Sequence, residues 1–402
     1  MKKTWNQHQV KKQNKSLILE TIMKNFPISR ADIANQTGLN KGTVSSLVND
    51  LLVEELIYES GPGKSSGGRR PVMLLFNQLA GCSIGIDLGV NYLLGVLTDL
   101  NGNILHQENI KFNNLTYEEI IDHLFKVIDL LVKAAPSTPY GIIGIGIGVP
   151  GIVRKDGEVL LAPNLNWKNV QLKSIIEETY NVPVIIENEA NAGAYGEKKF
   201  GVGKNFNNIV YVSVGIGIGV GLILNRKLYK GNSGFSGEMG HMTINVNGDK
   251  CRCGNIGCWE LYASEQALVK NAERLGIKPV ADEELSLDSL IKLAENEDEN
   301  TINLFAQIGD YIGVGINSII NTFNPEQIII GNRMASARQW VSKSLKTRIV
   351  NQAMDFHQQD FNLNFSKLTT HSSALGAAAF SIENFFQNEI RENPLQSGRT
   401  NF

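Results

Sequence analysis

Two stretches of this 402-residue chain repeat one pattern: Ser83 to Asp99, SIGIDLGVNYLLGVLTD, and Ile209 to Asn225, IVYVSVGIGIGVGLILN. Each is an apolar run, a glycine turn and a second apolar run, which reads as two buried strands joined in a hairpin. From about residue 80 onward, apolar strand patterns alternate with amphipathic helix patterns, the signature of α/β layers. A hairpin of the same kind at the head of each half predicts two similar α/β lobes, and the cleft between them is where a ligand is expected. The 42% hydrophobic content suffices for real cores, and the length for two to three domains. The chain opens without an apolar leader and carries no apolar run near the ~20 residues that span a bilayer, so the expectation is a soluble, cytoplasmic protein with no membrane partner.

The formal charge of −2 hides an uneven distribution. Residues 1–80 hold 11 Lys and Arg against 6 Asp and Glu, a net of +5; the remaining 27 against 34 leave −7. A basic end on an acidic body points to a polyanion bound at one end only. The patterning there is helical. Leu17, Ile18, Thr21 and Ile22 form one face, Ser29 can cap a helix through Ala34, and Gly38 turns the chain into a further helix from Asn40 to Leu56. Within ADIANQTGLNKGTVSSLVNDL the small and apolar positions pack inward, while Lys41, Thr43, Ser45, Ser46 and Asn49 form the outer face, with Asn40 as cap. Those short donors and acceptors suit base edges and phosphates at the start of a recognition helix. Two short strands, Leu56 to Ser60 and Val72 to Asn77, flank GPGKSSGGRRP, a glycine-rich tip with Lys64, Arg69 and Arg70 that reads as a wing. Helix, wing and a lysine-rich arm (Lys2, Lys3, Lys11, Lys12, Lys15) are expected to straddle the phosphates of double-stranded DNA. The domain boundary falls near residue 78.

Three of the four cysteines, Cys251, Cys253 and Cys258, lie within eight residues, behind His241. Thiolate and imidazole in one short loop are a zinc ligand set, and four protein ligands make such a site closed and structural. Gly248, Gly254 and Gly257 allow the tight loop. The fourth thiol, Cys82, enters an apolar run and reads as a small buried hydrophobe.

The hairpin-led lobes resemble the actin-like, sugar-kinase (ribonuclease H-like) architecture. GIGVPGIV at 146–153, NEANAGAYGE at 188–197, GEMGH at 237–241 and CRCGNIGCWE at 251–260 together resemble the ROK family of repressors and sugar kinases, over nearly the whole chain. The winged helix-turn-helix ahead of them is similar to the repressor branch. The fold expected is therefore α/β: a winged helix-turn-helix over residues 1–78, a two-lobed domain over 79–387 with its lobe boundary near 200, and a disordered tail over 388–402. The resemblance implies a sugar held by Asn188 and Glu189, by Glu238 and His241, and by Glu260, with structural zinc on His241, Cys251, Cys253 and Cys258. It implies that His241 serves twice, one ring nitrogen on the metal and the other toward the sugar. Gly151 and Asn164 would add contacts from the other lobe or be turn residues. The run NEANAGAYGE with the KSSGGRRP wing resembles most the xylose-responsive members of that branch, which implies D-xylose as inducer, a palindromic operator and a homodimer. Thr301 to Asn321 and Ser373 to Phe386 are candidates for the dimer interface, for closing the lobe, or for core packing.

The chain departs from the kinase pattern. Where the family's phosphate hairpin resembles DxGGT, this chain reads Asp87-Leu88-Gly89-Val90-Asn91; where it resembles GTGxGxG, Ile216 stands at the hydroxyl position. Ile216 cannot donate to a phosphate. Glu189 replaces the family's aspartate base and is longer by one methylene. The expectation is a non-enzymatic, sugar-responsive repressor of a xylose operon. The alternatives are an ATP-dependent sugar kinase tethered to DNA, and a regulator responding to another sugar, a phosphosugar or a partner protein.

Overall fold

A computed structural model describes residues 7–62, 70–113, 115–279, 283–354, 356 and 361–389. Its two large sheets share one topology. In the first, the antiparallel strands Cys82–Leu88, Tyr92–Asp99 and Ile104–Lys111 are extended by the parallel strands Ile142–Val149 and Val184–Asn188. In the second, Ile209–Val214, Ile218–Leu224 and Lys227–Leu228 are extended by Gln327–Gly331 and Asn362–Phe365. Numbered within each sheet, both run 3-2-1-4-5, the internal repeat that the two hairpins predict. Cys82–Leu88, Ile209–Val214 and Gln327–Gly331 are buried at every residue. Helices cover both faces of these strands, which is why they read as unbroken apolar runs rather than as alternating ones.

The last helix, Ser372–Glu389, leaves the second lobe and packs on the first sheet. Its approach is close because glycines face it: a Cβ on Gly85 would lie 2.0 Å from the Ala374 carbonyl, and one on Gly146 2.0 Å from that of Ala377. The same helix crosses Glu189–Lys199 backbone to backbone. A Cβ on Gly376 would stand 1.7 Å from the Ala192 carbonyl, and one on Gly196 2.1 Å from that of Ser372. Tyr195 stacks on Phe380 at 4.2 Å beside this crossing. Residues 373–386 and 301–321 thus lie in helices whose apolar faces belong to the chain's own core. The final helix carries through Asn388 and Glu389; residues 390–402, the rest of the expected tail, lie outside the described residues.

The amino-terminal part is a winged helix: Gln7–Asn25, Arg30–Thr37 and Lys41–Val53 pack on a sheet of Ile28–Ser29, Val72–Phe76 and Ile57–Pro62. Ser29 accepts from the Asp32 amide, Gly38 ends the second helix at φ 72, and the Asn40 side chain accepts from the Thr43 amide at 2.8 Å, as the sequence predicts. The third helix stops at Val53, short of the expected Leu56, because Glu55 turns left-handed at φ 55. Strand Ile28–Ser29 was not expected from sequence; two residues beside Pro27 are too short to show a period. The lysine-rich arm is corrected. Lys11, Lys12 and Lys15 belong to helix Gln7–Asn25, and Lys11 and Lys15 are paired with Asp50 and Glu54 of the recognition helix and its end. Lys2 and Lys3 lie outside the described residues, as do Lys64 and Arg69 of the wing.

The winged helix does not hang on a free linker. Its core, from Ile18 and Leu47 to Phe76, is continuous with Ala80, Leu100, Ile143, Ile382 and Phe385 of the body. Tyr140 meets Phe385 edge-on at 5.0 Å and donates its hydroxyl to the Glu54 carbonyl at 3.0 Å, while Phe76 lies 6.2 Å from Phe386. Burying a large apolar side chain is worth ~1.5–3 kcal/mol, so Ile382 and Phe385 alone hold this junction by several kcal/mol. Cys82 is fully buried in the first sheet. Among the described residues no helix is long and apolar enough to cross a membrane.

Candidate functional site

The cysteine loop folds back on itself through bridges between Thr243 and Cys258 and between Lys250 and Ile256. Gly257, at φ 69 with the Asn245 carbonyl 1.7 Å from where its Cβ would be, admits no other residue. The result gathers His241, Cys251, Cys253 and Cys258, whose donor atoms all lie within 4.8 Å of one another. His241 Nδ1 is 3.7 Å from Cys251 Sγ, and Cys253 Sγ is 3.7 Å from Cys258 Sγ. A tetrahedron with metal–sulfur bonds near 2.3 Å has edges of about 3.8 Å, so the donor set and its spacing fit zinc. Burial pushes the Cys251 and Cys258 thiols upward; ligation would therefore release protons and weaken in acid.

Three residues expected at the sugar meet at this loop. With Nδ1 on the cysteine side, 3.4 Å from Glu260, the His241 ring presents Nε2 toward Glu238 at 4.0 Å. Glu260 lies between the cluster and the glycine turn, its other oxygen 2.9 Å from where a Cβ on Gly217 would stand. The Glu238 carboxyl is raised by burial and by the Glu260 charge, against the pull of His241. Asn188 and Gly151 are instead engaged with each other. Asn188 caps helix Glu189–Lys199 through Oδ1 and donates its amide to the Gly151 carbonyl at 2.8 Å. Gly151 is in the turn conformation, at φ 98. Asn164 accepts from Arg252 at 3.0 Å, across the two lobes.

Glu189 heads a polar cluster at the cleft floor, in which sequence reading missed Ser213 and Asn332. Its Oε1 accepts from the Ser213 hydroxyl at 2.8 Å and from the Asn332 amide at 3.4 Å, and Asn332 also donates to Ser213 at 3.0 Å. Asp87, 2% exposed, accepts from the Tyr92 hydroxyl at 2.6 Å through one oxygen and leaves the other without a partner among the described residues. Burial, then the charge of Glu189, raises Asp87 to about 7; burial also raises Glu189. No motif flags Ser213 or Asn332, because each is one ordinary residue at a strand end.

Polar contacts between the lobes include Lys230 to Glu187, the Lys155 ammonium to the Asn232 carbonyl at 2.6 Å, Arg252 to Asn164, Lys111 to Asp288 at 3.7 Å, and His371 with Gln107 at 2.9 Å. Most are exposed, and such pairs contribute about 0–1 kcal/mol each. The buried Glu187 and the packing of helix Glu189–Lys199 on strand Ile218–Leu224, where a Cβ on Gly221 would lie 2.3 Å from the Ala190 carbonyl, hold the lobes more firmly than the exposed contacts do.

On the winged helix, Lys41, Ser45, Ser46 and Asn49 are exposed and Thr43 is half-buried, on the face opposite the buried Val44, Leu47, Val48 and Leu51. The Asn40 side chain is engaged as the cap, Asn49 receives Arg30 at 3.4 Å, and Arg70 is exposed at the wing.

A winged helix sharing its core with two repeated lobes and a cysteine–histidine loop defines a class of protein, the transcription regulator built on a sugar-kinase fold. The family model for ROK matches residues 83–384, and the chain belongs to the ROK family. It is 48% identical to the xylose repressor of Bacillus subtilis over 94% of this chain and 96% of that one. It is 42% identical to a putative xylose repressor of Caldicellulosiruptor over 93% and 96%. Among solved structures, a ROK family transcriptional regulator described as a homologue of the E. coli MLC protein matches with TM-score 0.80 and 29% identity, over 95% of this chain and 98% of that one. A ROK family glucokinase from Streptomyces griseus, solved with glucose and AMPPNP, matches with TM-score 0.69 and 26% identity over 75% and 99%.

Two outcomes are expected. Cys253→Ser, at an exposed position of the loop, should lower bound zinc below the wild-type stoichiometry by atomic absorption while leaving the winged helix folded; full retention of metal would remove Cys253 from the ligand set. Asp87 in an unfolded chain titrates near 4. Its folded value near 7 means that the folded state holds the extra proton between those values. Stability should then fall as pH rises through that window and level off above it. Asp87→Asn should flatten this slope and raise stability above pH 7, by at most roughly 4 kcal/mol, read from denaturant melts at several pH values.

Proposed function

We propose that this chain is a sugar-responsive transcriptional repressor without enzymatic activity, with D-xylose as inducer and zinc as structural metal. The observation that carries this reading is the continuous core between winged helix and body. Ile382 and Phe385, which plug that core, lie on the helix that crosses Glu189–Lys199, and Glu189–Lys199 starts at the cleft floor. A sugar that redraws the cleft acts on this helix pair, and the helix pair carries the change to the recognition helix.

In this reading residues 1–78 bind DNA, and residues 79–387, with the lobe boundary near 200, bind sugar and form the dimer. Glu238, His241 and Glu260 are the sugar's main hydrogen-bonding groups from the second lobe. Asn188, Glu189, Gly151 and Asn164 would join them from the hinge and the first lobe, by exchanging their present partners. A pyranose hydroxyl both donates and accepts, so carboxylates beside an imidazole can pair with several at once. Bound zinc would hold the His241 ring on Nδ1 and leave Nε2 for the ligand. The bonds that a sugar makes to both lobes would add to the exposed contacts at the rim and set the degree of closure. A two-fold dimer would place the winged helices on the half-sites of a palindrome, with Lys41, Thr43, Ser45, Ser46 and Asn49 toward the groove and Asn40, Lys64, Arg69 and Arg70 on the backbone.

Several features support loss of phosphotransfer. The Glu189 carboxylate is held by Ser213 and Asn332, and Ile216 occupies the glycine turn. Arg333 is paired with Glu265 and Asp288 at the end of strand Gln327–Gly331. The choice of D-xylose rests on the relatives named xylose repressors, which align with both the DNA-binding end and the cleft.

The test is calorimetric titration of zinc-loaded protein with D-xylose and D-glucose, with and without ATP, while ADP is followed. D-xylose should bind with the higher affinity and no ADP should form; sugar-dependent ADP release would make the chain a kinase. Glu238→Ala should weaken sugar binding by roughly 1–3 kcal/mol and leave operator binding intact. Equal sugar affinity in that variant would remove Glu238 from the pocket.

A further inference from the structure

A concavity of about 750 Å³ opens on the second lobe, away from the cysteine loop, between the start of helix Arg338–Gln352 and the end of strand Asn362–Phe365. Three charged side chains line it, Arg338, Lys346 and Lys367; all are cationic and exposed, and among the described residues no carboxylate shares the wall. The neighbouring arginines behave differently, since Arg333 is paired with Glu265 and Arg348 with Asp310. The body beyond residue 80 carries a net −7, so three cations gathered without a counter-charge run against its composition.

The topology places this groove where ligands collect. Strands Gln327–Gly331 and Asn362–Phe365 are parallel neighbours, and the residues that follow each of them, Ala335 to Arg338 and Lys367, form its walls. Binding sites of open α/β sheets lie beyond the carboxyl ends of such strands. The Arg338 guanidinium rests 5.8 Å over the Phe365 ring, an arrangement that steadies a long side chain and keeps its charge. Gln339 and Asn364 add neutral hydrogen-bonding groups, and Val202 and Leu363 an apolar patch.

We propose that this groove binds a phosphorylated small metabolite, with Arg338, Lys346 and Lys367 on the phosphoryl oxygens. Guanidinium and ammonium groups hold phosphoryl oxygens through short, charge-assisted hydrogen bonds. The volume is that of a small-molecule site, in the range of about 300–1,000 Å³, whereas a stable protein partner needs roughly 800 Å² of each surface. The turn Arg333–Ala337 lies between the two sites. It follows Asn332, which holds Glu189 at the cleft floor, and it ends at Arg338 in the groove.

The test is calorimetric titration of full-length, zinc-loaded protein with inorganic pyrophosphate and with glycerol 3-phosphate at constant ionic strength. It is repeated on the triple variant Arg338→Gln, Lys346→Gln, Lys367→Gln, whose exposed substitutions spare the core; circular dichroism verifies its fold. The result expected is saturable binding of at least one probe at a single site per chain, weakened about tenfold or more in the triple variant. Absence of saturable binding of both probes overturns the proposal, and so does binding equal in the two proteins, which puts the anion elsewhere. A triple variant that loses non-specific DNA affinity, in a protein that binds neither probe, would assign the cations to a nucleic-acid backbone and overturn it as well.

Discussion

The close crossing of helices Glu189–Lys199 and Ser372–Glu389 is the constraint on which the rest of the structure depends. At Gly196 and Gly376 the two backbones touch with no room for a side chain. A crossing of this kind has little freedom to slide, since packed interiors respond to a shift by moving together rather than by deforming. One helix begins at Glu189 in the cleft, and the other ends in the aromatic group of Phe385 and Phe386 under the winged helix. The two ends of the molecule are therefore joined by a rigid pair, while the rim of the cleft is bridged by exposed polar contacts that are individually weak. Stiff coupling and a soft hinge are what a ligand-driven switch needs, because a ligand shifts an equilibrium only by its differential affinity for two states.

The cleft's chemistry follows the same division. Zinc-type ligation would make the Glu238–Glu260 segment a fixed wall, while buried Asp87 and Ser213 with half-buried Tyr92, Glu189 and Asn332 form a polar floor. Burial raises both the Asp87 and the Glu189 carboxyls, so this floor favours a bound proton. Glu189 is tethered there by hydrogen bonds from Ser213 and Asn332.

Much of this was legible in the chain. The two hairpins foretold the duplicated 3-2-1-4-5 sheets because buried strands must be continuous apolar runs, and glycine must mark their turns. Ser29, Gly38 and Asn40 foretold the helix ends because capping is local chemistry. The cysteine loop was legible because its four donors lie close in sequence and in space. Long-range pairings were not. Ser213 and Asn332 meet across 119 residues, Arg333 and Glu265 across 68, and no short pattern records either. Lys11 and Lys15 misled for the same reason: a lysine run looks like a phosphate-binding arm until the fold sets it against Asp50 and Glu54. Asn188 and Gly151 showed the converse, candidates for ligand contact that the fold has already joined to one another.

The most direct measurement is operator affinity by fluorescence anisotropy as a function of D-xylose, paired with xylose affinity measured with and without operator. The account predicts that xylose weakens operator binding by a factor of roughly 5–150, and that operator weakens xylose binding by the same factor, as linkage demands. Xylose that binds the cleft while leaving operator affinity unchanged would contradict it.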